Sequence, residues 1–414
     1  MASMNPVRGT HDLLGEDILR HRHVEQTAFA VASRYGYSEI VTPIFEFTEV
    51  FARTLGDTSD IVTKEMYTFE DKGGERVTLR PEGTAGVARA FISGGLAQKL
   101  PLKLFYRGPM FRYERPQKGR QRQFNQIGAE LLGVAGPLAD VEIISLGAQI
   151  LDELGLSEHV VCELNSLGDS ESRNAYRECL VEYLEGHRDA LSEDSRERMH
   201  RNPLRILDSK DEGDKAIVAD APLMSDSLND ESRRFFDDLR NGLEIAGVKY
   251  TLNPRMVRGL DYYCHSAFEF TTTALGAQGT VLGGGRYDGL IKQMGGQATP
   301  GIGWAAGVER LAMLVAGGIE KKRPIVIIPV GAEAADTALA TTQRLRRDGF
   351  SVDLGFSGNL GKRMKRANAL NARATVILGE DEIAREVATV RDMDSGEQAE
   401  VPLTALETHL DHFR

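Results

Sequence analysis

The chain has 414 residues, is 41% apolar and 27% charged, and carries a formal charge of −11. These are the proportions of a globular protein of two or three domains. The acidic balance speaks against a protein whose main business is coating nucleic acid, while leaving room for local basic patches. No apolar run approaches the roughly 20 residues needed to cross a bilayer, and the opening MASMNPVRGTHDLL lacks the apolar core of a secretory signal. Three scattered cysteines, Cys162, Cys179 and Cys264, supply neither a disulfide framework nor a zinc site. A reduced cytoplasmic setting, without a membrane, is expected.

Apolar residues at helical spacing predict a first helix from Leu14 to Tyr35, broken at Gly36 and Tyr37. IVTPIFEFTEVF (40–51) reads as a strand interrupted by Pro43, which suits a sheet edge or a subunit contact. VTLRPEGTAGVARA (77–90) reads as strand, turn and then helix, opening after Gly83 and Thr84. Glu82 and Thr84 in that turn both suit a helix N-terminus, and a carboxylate there can equally receive a ligand cation.

LFYRGPMFRYERPQKGRQRQFNQIGAE (104–130) reads as two alternating strands around a loop carrying Arg115, Lys118, Arg120 and Arg122. Alternation puts Arg112 and Glu114 on one face with Phe111 and Tyr113 behind them. On the second strand Gln126, Gly128 and Glu130 share a face, where Gly128 is expected to leave a gap for a ligand. A hairpin whose charges are merely solvated is the plain alternative. A polar floor with a cationic lip instead suits a substrate bearing phosphates and a small polar group.

From about Asp169 to Lys249 charged helical stretches follow one another without strand alternation, as in a helical insertion that contributes no obvious chemistry. RGLDYY (258–263) then leads into a strand. Arg258 there is either an anion clamp or the partner of Asp261. Tyr262 and Tyr263 are expected on opposite strand faces, one in the core and one presenting its hydroxyl. GGGRYDGL (283–290) does not match a dinucleotide fingerprint and is expected to form a tight turn that lets backbone approach a ligand, with Tyr287 nearby. GIGWAAGVERLAML (301–314) predicts a strand and a helix, with Val308, Leu311, Ala312 and Val315 buried and Arg310 on the other side. Beyond Lys321, Lys322 and Arg323 a strand–helix rhythm predicts a small α/β unit of roughly 90 residues with a largely parallel sheet. Its cluster Lys362, Arg363, Lys365 and Arg366 is as consistent with a solvated helix as with an RNA-facing one.

The segment 104–130 resembles motif 2 of the class II aminoacyl-tRNA synthetases, and RYERPQKGRQRQF is similar in particular to the histidyl-tRNA synthetase family. Segments 40–51 and 301–314 resemble motifs 1 and 3; RGLDYY and GGGRYDGL resemble the family's two histidine-specific motifs. The resemblance covers essentially the whole chain. It implies an α+β fold: a catalytic domain on an antiparallel sheet flanked by helices (1–168 and 250–322), a helical insertion (169–249) and a C-terminal α/β anticodon-binding domain (324–414).

The resemblance further implies a histidine–tRNA ligase that uses L-histidine, ATP and histidine tRNA. Mg2+ is expected with the ATP, although the sequence shows no dedicated metal site. A homodimer is expected through motif 1 around Pro43. Arg112, Arg258 and Gln126 would be the catalytic residues, with Arg112 and Arg258 on the α-phosphate and the attacking carboxylate. Arg112, Arg258 and Arg310 would gather three guanidinium groups around one triphosphate. Glu114 would read the adenine edge and Arg310 hold the nucleotide's outer end. Glu82, Thr84 and Gln126 would take the ammonium, Glu130 and Tyr263 the imidazole, with Tyr262 and Tyr287 in the same histidine pocket. Arg115, Gln117 and Arg120 would meet the tRNA acceptor end.

The chain departs from the family's commoner residues at Gln121, Asn125 and Cys264-His265. Two rival readings are a histidine-sensing regulatory subunit of ATP phosphoribosyltransferase and a sister synthetase for glycine, threonine or proline. The retained Arg112, Glu114, Arg258 and Arg310 and the terminal unit speak against the first, RGLDYY and GGGRYDGL against the second.

Overall fold

The computed structural model describes residues 4–55, 61–257, 262–276, 279–316 and 321–414. The chain divides into two units, Met1–Ile319 and Glu320–Arg414. In the first, α1 (Glu16–Arg34) buries Val24, Ala28, Val31 and Ala32 along one stripe, the spacing that predicts it. There follow β1 (Ser38–Glu39), β2 (Phe45–Phe47), α2 (Thr48–Leu55), β3 (Tyr67–Glu70), β4 (Arg76–Leu79), α3 (Thr84–Ser93), β5 (Leu102–Phe111), β6 (Gln123–Leu132), α4 (Leu138–Glu153) and β7 (Val161–Gly168). The helices α5 (Ser170–Glu185), α6 (Glu193–Arg201), α7 (Glu212–Ala219) and α8 (Asp230–Ile245) come next, with no strand among them. The unit closes with β8 (Thr251–Leu252), β9 (Cys264–Thr271), β10 (Thr280–Arg286), α9 (Leu290–Gln293), β11 (Gly301–Gly307) and α10 (Val308–Leu314).

Among the described residues the main sheet runs β1-β5-β6-β11-β10-β9-β7-β8. Its pairings are antiparallel except at the two edges, β1 with β5 and β7 with β8. Period-two alternation divides its residues between two environments. Phe105, Ile127, Ala129, Ile302 and Phe268 face the core built with α1, α4 and α10, while Gln126, Glu130 and Gly303 lie on the other face. Helix α8 also reaches this core through Leu239 and Leu243.

Several sequence expectations are corrected. In segment 40–51 only Phe45–Phe47 is strand, and Thr48–Leu55 is helix. Helical spacing wins there because Phe51, fully buried, packs against Ala85 of α3, while Arg53 pairs with Glu49 one turn back at 2.9 Å. β5 ends at Phe111, so strand alternation does not govern Arg112 to Glu114. The Tyr113 N–H donates to the Glu65 carbonyl at 2.7 Å, and its exposed ring lies under the Arg122 guanidinium at 3.8 Å. Gly128 leaves no gap for a ligand: its cross-strand partner Tyr106 fills it. A Cβ on Gly128 would stand 2.2 Å from the Tyr106 ring, and one on Gly83 would meet the same ring from another side at 2.2 Å.

Gly283, Gly284 and Gly285 of GGGRYDGL are not in a turn but in β10, while Gly289 does lie in a turn, the one that leads into α9. A Cβ on Gly284 would meet the Gly303 carbonyl oxygen at 2.1 Å and Trp304 at 2.7 Å; close strand–side-chain packing is what these glycines permit. Tyr262 and Tyr263 precede β9 rather than lying in it, so no strand separates their faces. Their rings touch instead, with centroids 4.6 Å apart.

The second unit comprises β12 (Ile325–Pro329), α11 (Ala334–Arg347), β13 (Val352–Leu354), α12 (Leu360–Ala369), β14 (Ala374–Leu378), α13 (Glu380–Ala384), β15 (Val387–Asp392), β16 (Gln398–Pro402) and α14 (Leu406–Leu410). Its sheet order is β13-β12-β14-β15-β16. The first three strands are parallel, as expected, but β15 and β16 add an antiparallel hairpin that makes the sheet mixed. Strand β12 is buried on both faces: Ile325 and Ile327 pack with α11, Val326 and Ile328 with α12. An uninterrupted apolar run is the signature of such a strand.

Gly128→Ala drives a methyl group into the Tyr106 ring and should cost roughly 1–3 kcal/mol by overpacking. The measurement is urea unfolding, in which the variant's midpoint falls below that of the parent.

Candidate active site

The open face of the main sheet forms the floor of a cavity of about 790 Å3. At one end the turn 80–83 aims the N-terminus of α3 inward, and Glu82 caps it. The Thr84 and Ala85 N–H groups donate to the Glu82 carboxylate at 2.7 and 2.8 Å. Thus the capping use of Glu82 is realised while the residue still lines the cavity. Burial pushes its pKa up, against those two N–H groups and the charge of Arg112.

Glu130 is fully buried. The Thr84 hydroxyl donates to one of its oxygens at 2.7 Å and the Tyr287 hydroxyl to the other. Its cross-strand neighbour is Gly303, where a Cβ would fall 1.8 Å from the carboxylate; only glycine admits the acid here. Burial pushes the Glu130 pKa up to about 8, with the two hydroxyl hydrogen bonds opposing. The carboxyl therefore holds its proton at neutral pH. Gln126 sits four residues earlier on the same face, with a buried amide oxygen that has no hydrogen-bond partner. Tyr262, Tyr263 and Tyr287 wall this end, with the Tyr262 and Tyr287 rings edge to face at 5.9 Å.

The other end is cationic. Arg112 donates through Nε to the Pro81 carbonyl at 2.8 Å and lies over the Phe124 ring at 5.3 Å. Its Nη1 is 3.8 Å from Glu114, which also takes Arg120 at 3.1 Å. Arg310 donates through Nη1 to the Thr280 carbonyl. Burial lowers the Arg310 pKa, and the charges of Arg120 and Arg112 lower it further. Arg258 lies outside the described residues. Of the three guanidinium groups expected to gather, Arg112 and Arg310 do so, and Arg120 joins them.

Arg120 thus lines the cavity, whereas Arg115 and Gln117 are exposed on the loop. That loop turns tightly: the N–H groups of Gln117 and Arg120 donate to each other's carbonyls at 3.1 and 2.9 Å, and Gly119 supplies the φ of 73° between them. Pro43 is exposed beside Val41, Ile44, Phe45 and Phe47.

Two contributions were missed in the sequence. Glu309, the residue before Arg310, accepts from the Asn125 backbone at 2.8 Å and from its side chain at 3.2 Å. Burial pushes Glu309 up to about 6, and Asn125, a departure from the family's commoner residue, gains a partner. The helical insertion also reaches the cavity through Arg205, Asp208 and Lys210. Buried Asp214 fixes that segment, accepting from the hydroxyls of Ser192, Ser195 and Ser209 at 2.6–2.7 Å. No local pattern signals this, because the contact closes across the fold. Among the described residues no three His, Cys, Asp or Glu gather as a metal-ligand set.

The family model of histidyl-tRNA synthetase matches residues 9–311, and that of an anticodon binding domain matches residues 324–412. A histidine–tRNA ligase of Rhodospirillum rubrum is 63% identical over all of both chains. The chain belongs to the histidyl-tRNA synthetase family. A second histidine–tRNA ligase, of Gluconacetobacter diazotrophicus, is 56% identical over 99% of each chain. The crystal structure of apo S. aureus histidyl-tRNA synthetase superposes with a TM-score of 0.83 at 35% identity, covering 98% of this chain and 99% of that one. A Bacillus halodurans chain described as ATP phosphoribosyltransferase regulatory subunit/histidyl-tRNA synthetase shares the fold, with a TM-score of 0.67 at 22% identity over 91% and 98% of the two chains. The mixed sheet with flanking helices is therefore the catalytic architecture of an aminoacyl-tRNA synthetase, followed by an anticodon-binding unit with a sheet of its own.

A pH prediction follows from Glu130. The folded protein keeps this proton to about pH 8 whereas the unfolded chain releases it near 4.5. The folded state binds more protons between those values, so stability falls as pH rises through that window, by at most about 1.4 kcal/mol per pH unit. Glu130→Gln should flatten this fall. Urea unfolding of both proteins across the window reads it.

Proposed function

We propose that this chain activates L-histidine with ATP to histidyl-adenylate and pyrophosphate, then passes the histidyl group to the 3′ end of histidine tRNA. What supports this reading most directly is one cavity with clustered guanidinium groups at one end and a buried acid walled by tyrosines at the other, in a chain of this family. In the first step the histidine carboxylate attacks the α-phosphate of ATP. Negative charge grows on the phosphoryl oxygens as pyrophosphate leaves, so fixed cations lower the barrier without reorganising. Arg112 is prepared for this: its Nε is tied to the Pro81 carbonyl, which leaves the fork of the guanidinium for oxygens. Arg258 would share the α-phosphate and the attacking carboxylate. Arg310 and the Phe124 ring would hold the nucleotide, and Glu114 the adenine edge.

Gln126, with its unpartnered oxygen, would accept from the histidine ammonium together with Glu82 and the Thr84 hydroxyl. Tyr263 would bond the imidazole. Glu130 reaches the ring by exchanging one of its two hydroxyl partners, Thr84 or Tyr287, for a ring N–H. A side chain lacking that N–H would leave buried polar atoms unmatched, which is a strong basis for selection. No covalent protein intermediate is needed; orientation and charge suffice. Mg2+ would enter on the ATP phosphates and keep several waters, as it does where no protein cage is built. Arg115 and Gln117 on the exposed loop would meet the acceptor end, and Arg120 would join them from the cavity rim. A cytoplasmic setting belongs to this reading; no described helix is long and apolar enough to cross a membrane.

The homodimer is part of the proposal. Val41, Phe45, Phe47 and Phe69 are 79, 57, 58 and 49% exposed. The β2-β4-β3 sheet brings Phe47 and Phe69 to either side of Val77. Contiguous exposed apolar surface of this kind marks an association site, and a second copy is the occupant the family resemblance implies. Light scattering should give twice the 45.5 kDa of one chain, and Phe45→Asp with Phe47→Asp should shift it to the single-chain mass.

The test of the activity is exchange of labelled pyrophosphate into ATP with each of the twenty amino acids. Histidine alone should support it; support by glycine, threonine or proline instead would replace the proposal. Arg112→Ala should lower histidine-dependent exchange roughly 10²-fold with the fold intact, the loss expected for one transition-state donor.

A further inference from the structure

Arg112, Tyr113 and Glu114 follow directly on the last residue of β5, where the sheet ladder no longer holds the chain. Backbone groups that leave a ladder must find other partners, and here two of them find Arg122. The Arg112 N–H donates to the Arg122 carbonyl at 2.9 Å. The Glu114 carbonyl accepts from Arg122 Nε at 3.3 Å. Between these two bonds the Arg122 guanidinium lies on the Tyr113 ring at 3.8 Å. A planar cation can stack on an aromatic face and still donate in its own plane. One arginine thus spans three consecutive residues, the outer two of which line the cavity.

Arg122 is itself held from behind. Its N–H donates to the Gly9 carbonyl at 2.7 Å. Gly9 has a φ of 85°, a conformation that suits glycine. A Cβ there would fall 2.8 Å from Arg122 Cγ and 3.0 Å from Pro116 Cγ, so the N-terminal turn lies directly against the Arg122 stem. The neighbours Arg120 and Gln121 line the cavity, whereas Arg122 does not.

We propose that Arg122 is a positioning residue for adenylate formation: backed by the Gly9 turn, it fixes the chain that aims Arg112 at the α-phosphate and Glu114 at the adenine. The proposal deepens the synthetase reading above and rests on it. A fixed cation lowers the barrier most when it is aimed before charge develops. The clamp therefore bears on ATP and on the chemical step, while the histidine end of the cavity is built on other residues, Glu82, Gln126 and Glu130.

Histidine-dependent exchange of labelled pyrophosphate into ATP by the full chain tests it. Arg122→Ala should raise the KM for ATP and lower kcat/KM for ATP roughly 10- to 100-fold, the cost of misplacing a reacting group by about 1 Å. The KM for histidine should stay near the parent value. Tyr113→Ala should reproduce part of the loss, and Tyr113→Phe, which keeps the ring, should restore it. Since the two side chains act as one clamp, Arg122→Ala combined with Tyr113→Ala should be little worse than Arg122→Ala alone. Gly9→Ala should raise the KM for ATP as well. Parent kinetics in Arg122→Ala, or losses that multiply in the double variant, overturn the proposal. So does a fall in kcat with both KM values unchanged, the mark of a merely structural role. Absence of histidine-dependent exchange in the parent protein instead defeats the synthetase reading, so the two failures are told apart.

Discussion

A buried ion pair holds the catalytic unit in register. Arg286, at the end of β10, and Asp140, in the first turn of α4, are both fully buried. An ion pair withdrawn from water is tolerable only when its remaining donors and acceptors are satisfied, and here they are. Arg286 donates to both Asp140 oxygens, to the Val134 and Gly136 carbonyls at 3.0 and 3.1 Å, and to Asp288 at 3.0 Å. The Ser266 hydroxyl of β9 completes Asp140. The next residue along the chain is Tyr287, whose hydroxyl reaches Glu130. The carboxyl that defines one end of the cavity thus depends on a guanidinium that never touches the substrate. Phe235 of α8 extends the same cluster, lying under Arg286 at 5.2 Å and stacked on His265 at 4.5 Å. The last insertion helix is fastened to the sheet at that point.

The cavity is electrically lopsided by construction. At one end, burial pushes the Glu130 pKa up to about 8 and raises that of Glu82, so it disfavours negative charge on both carboxyls. At the other, Arg112 and Arg120 stand close enough to Arg310 for their charges to add to the burial that lowers its pKa. Glu114 and Glu269 oppose that effect on Arg310. In the proposed reaction such a gradient would orient an amino acid carrying a cationic ammonium and an anionic carboxylate beside a polyphosphate. The helical insertion adds Lys210 and Arg205 from a third direction. Their placement rests on a second buried carboxylate, Asp214, surrounded by serine hydroxyls.

Much of this architecture was legible in the residues, for identifiable reasons. Helical periodicity located α1 and α10, including the face that leaves Arg310 toward the cavity. Strand alternation placed Gln126 and Glu130 together. Glycine was the main source of error. A glycine that admits the protein's own side chain reads the same as one that admits a ligand: Gly128 and Gly83 admit Tyr106, Gly284 admits Trp304, and Gly303 admits Glu130. The second source was tertiary override. Thr48 to Phe51 has strand composition, yet burying Phe51 against α3 favours helix. Tyr262 and Tyr263 lie outside the strand that alternation assigned them. Partners distant in sequence, such as Asn125 with Glu309, left no local trace.

The ring of Tyr106 is gripped between two backbone positions, in the turn before α3 and in β6, that both lack a Cβ. Replacing Tyr106 with a small residue would empty the space that those glycines define, and enlarging either glycine would evict the ring. Change at any one of the three must therefore await compensation at another, and the three sites should drift through evolutionary time as a linked set.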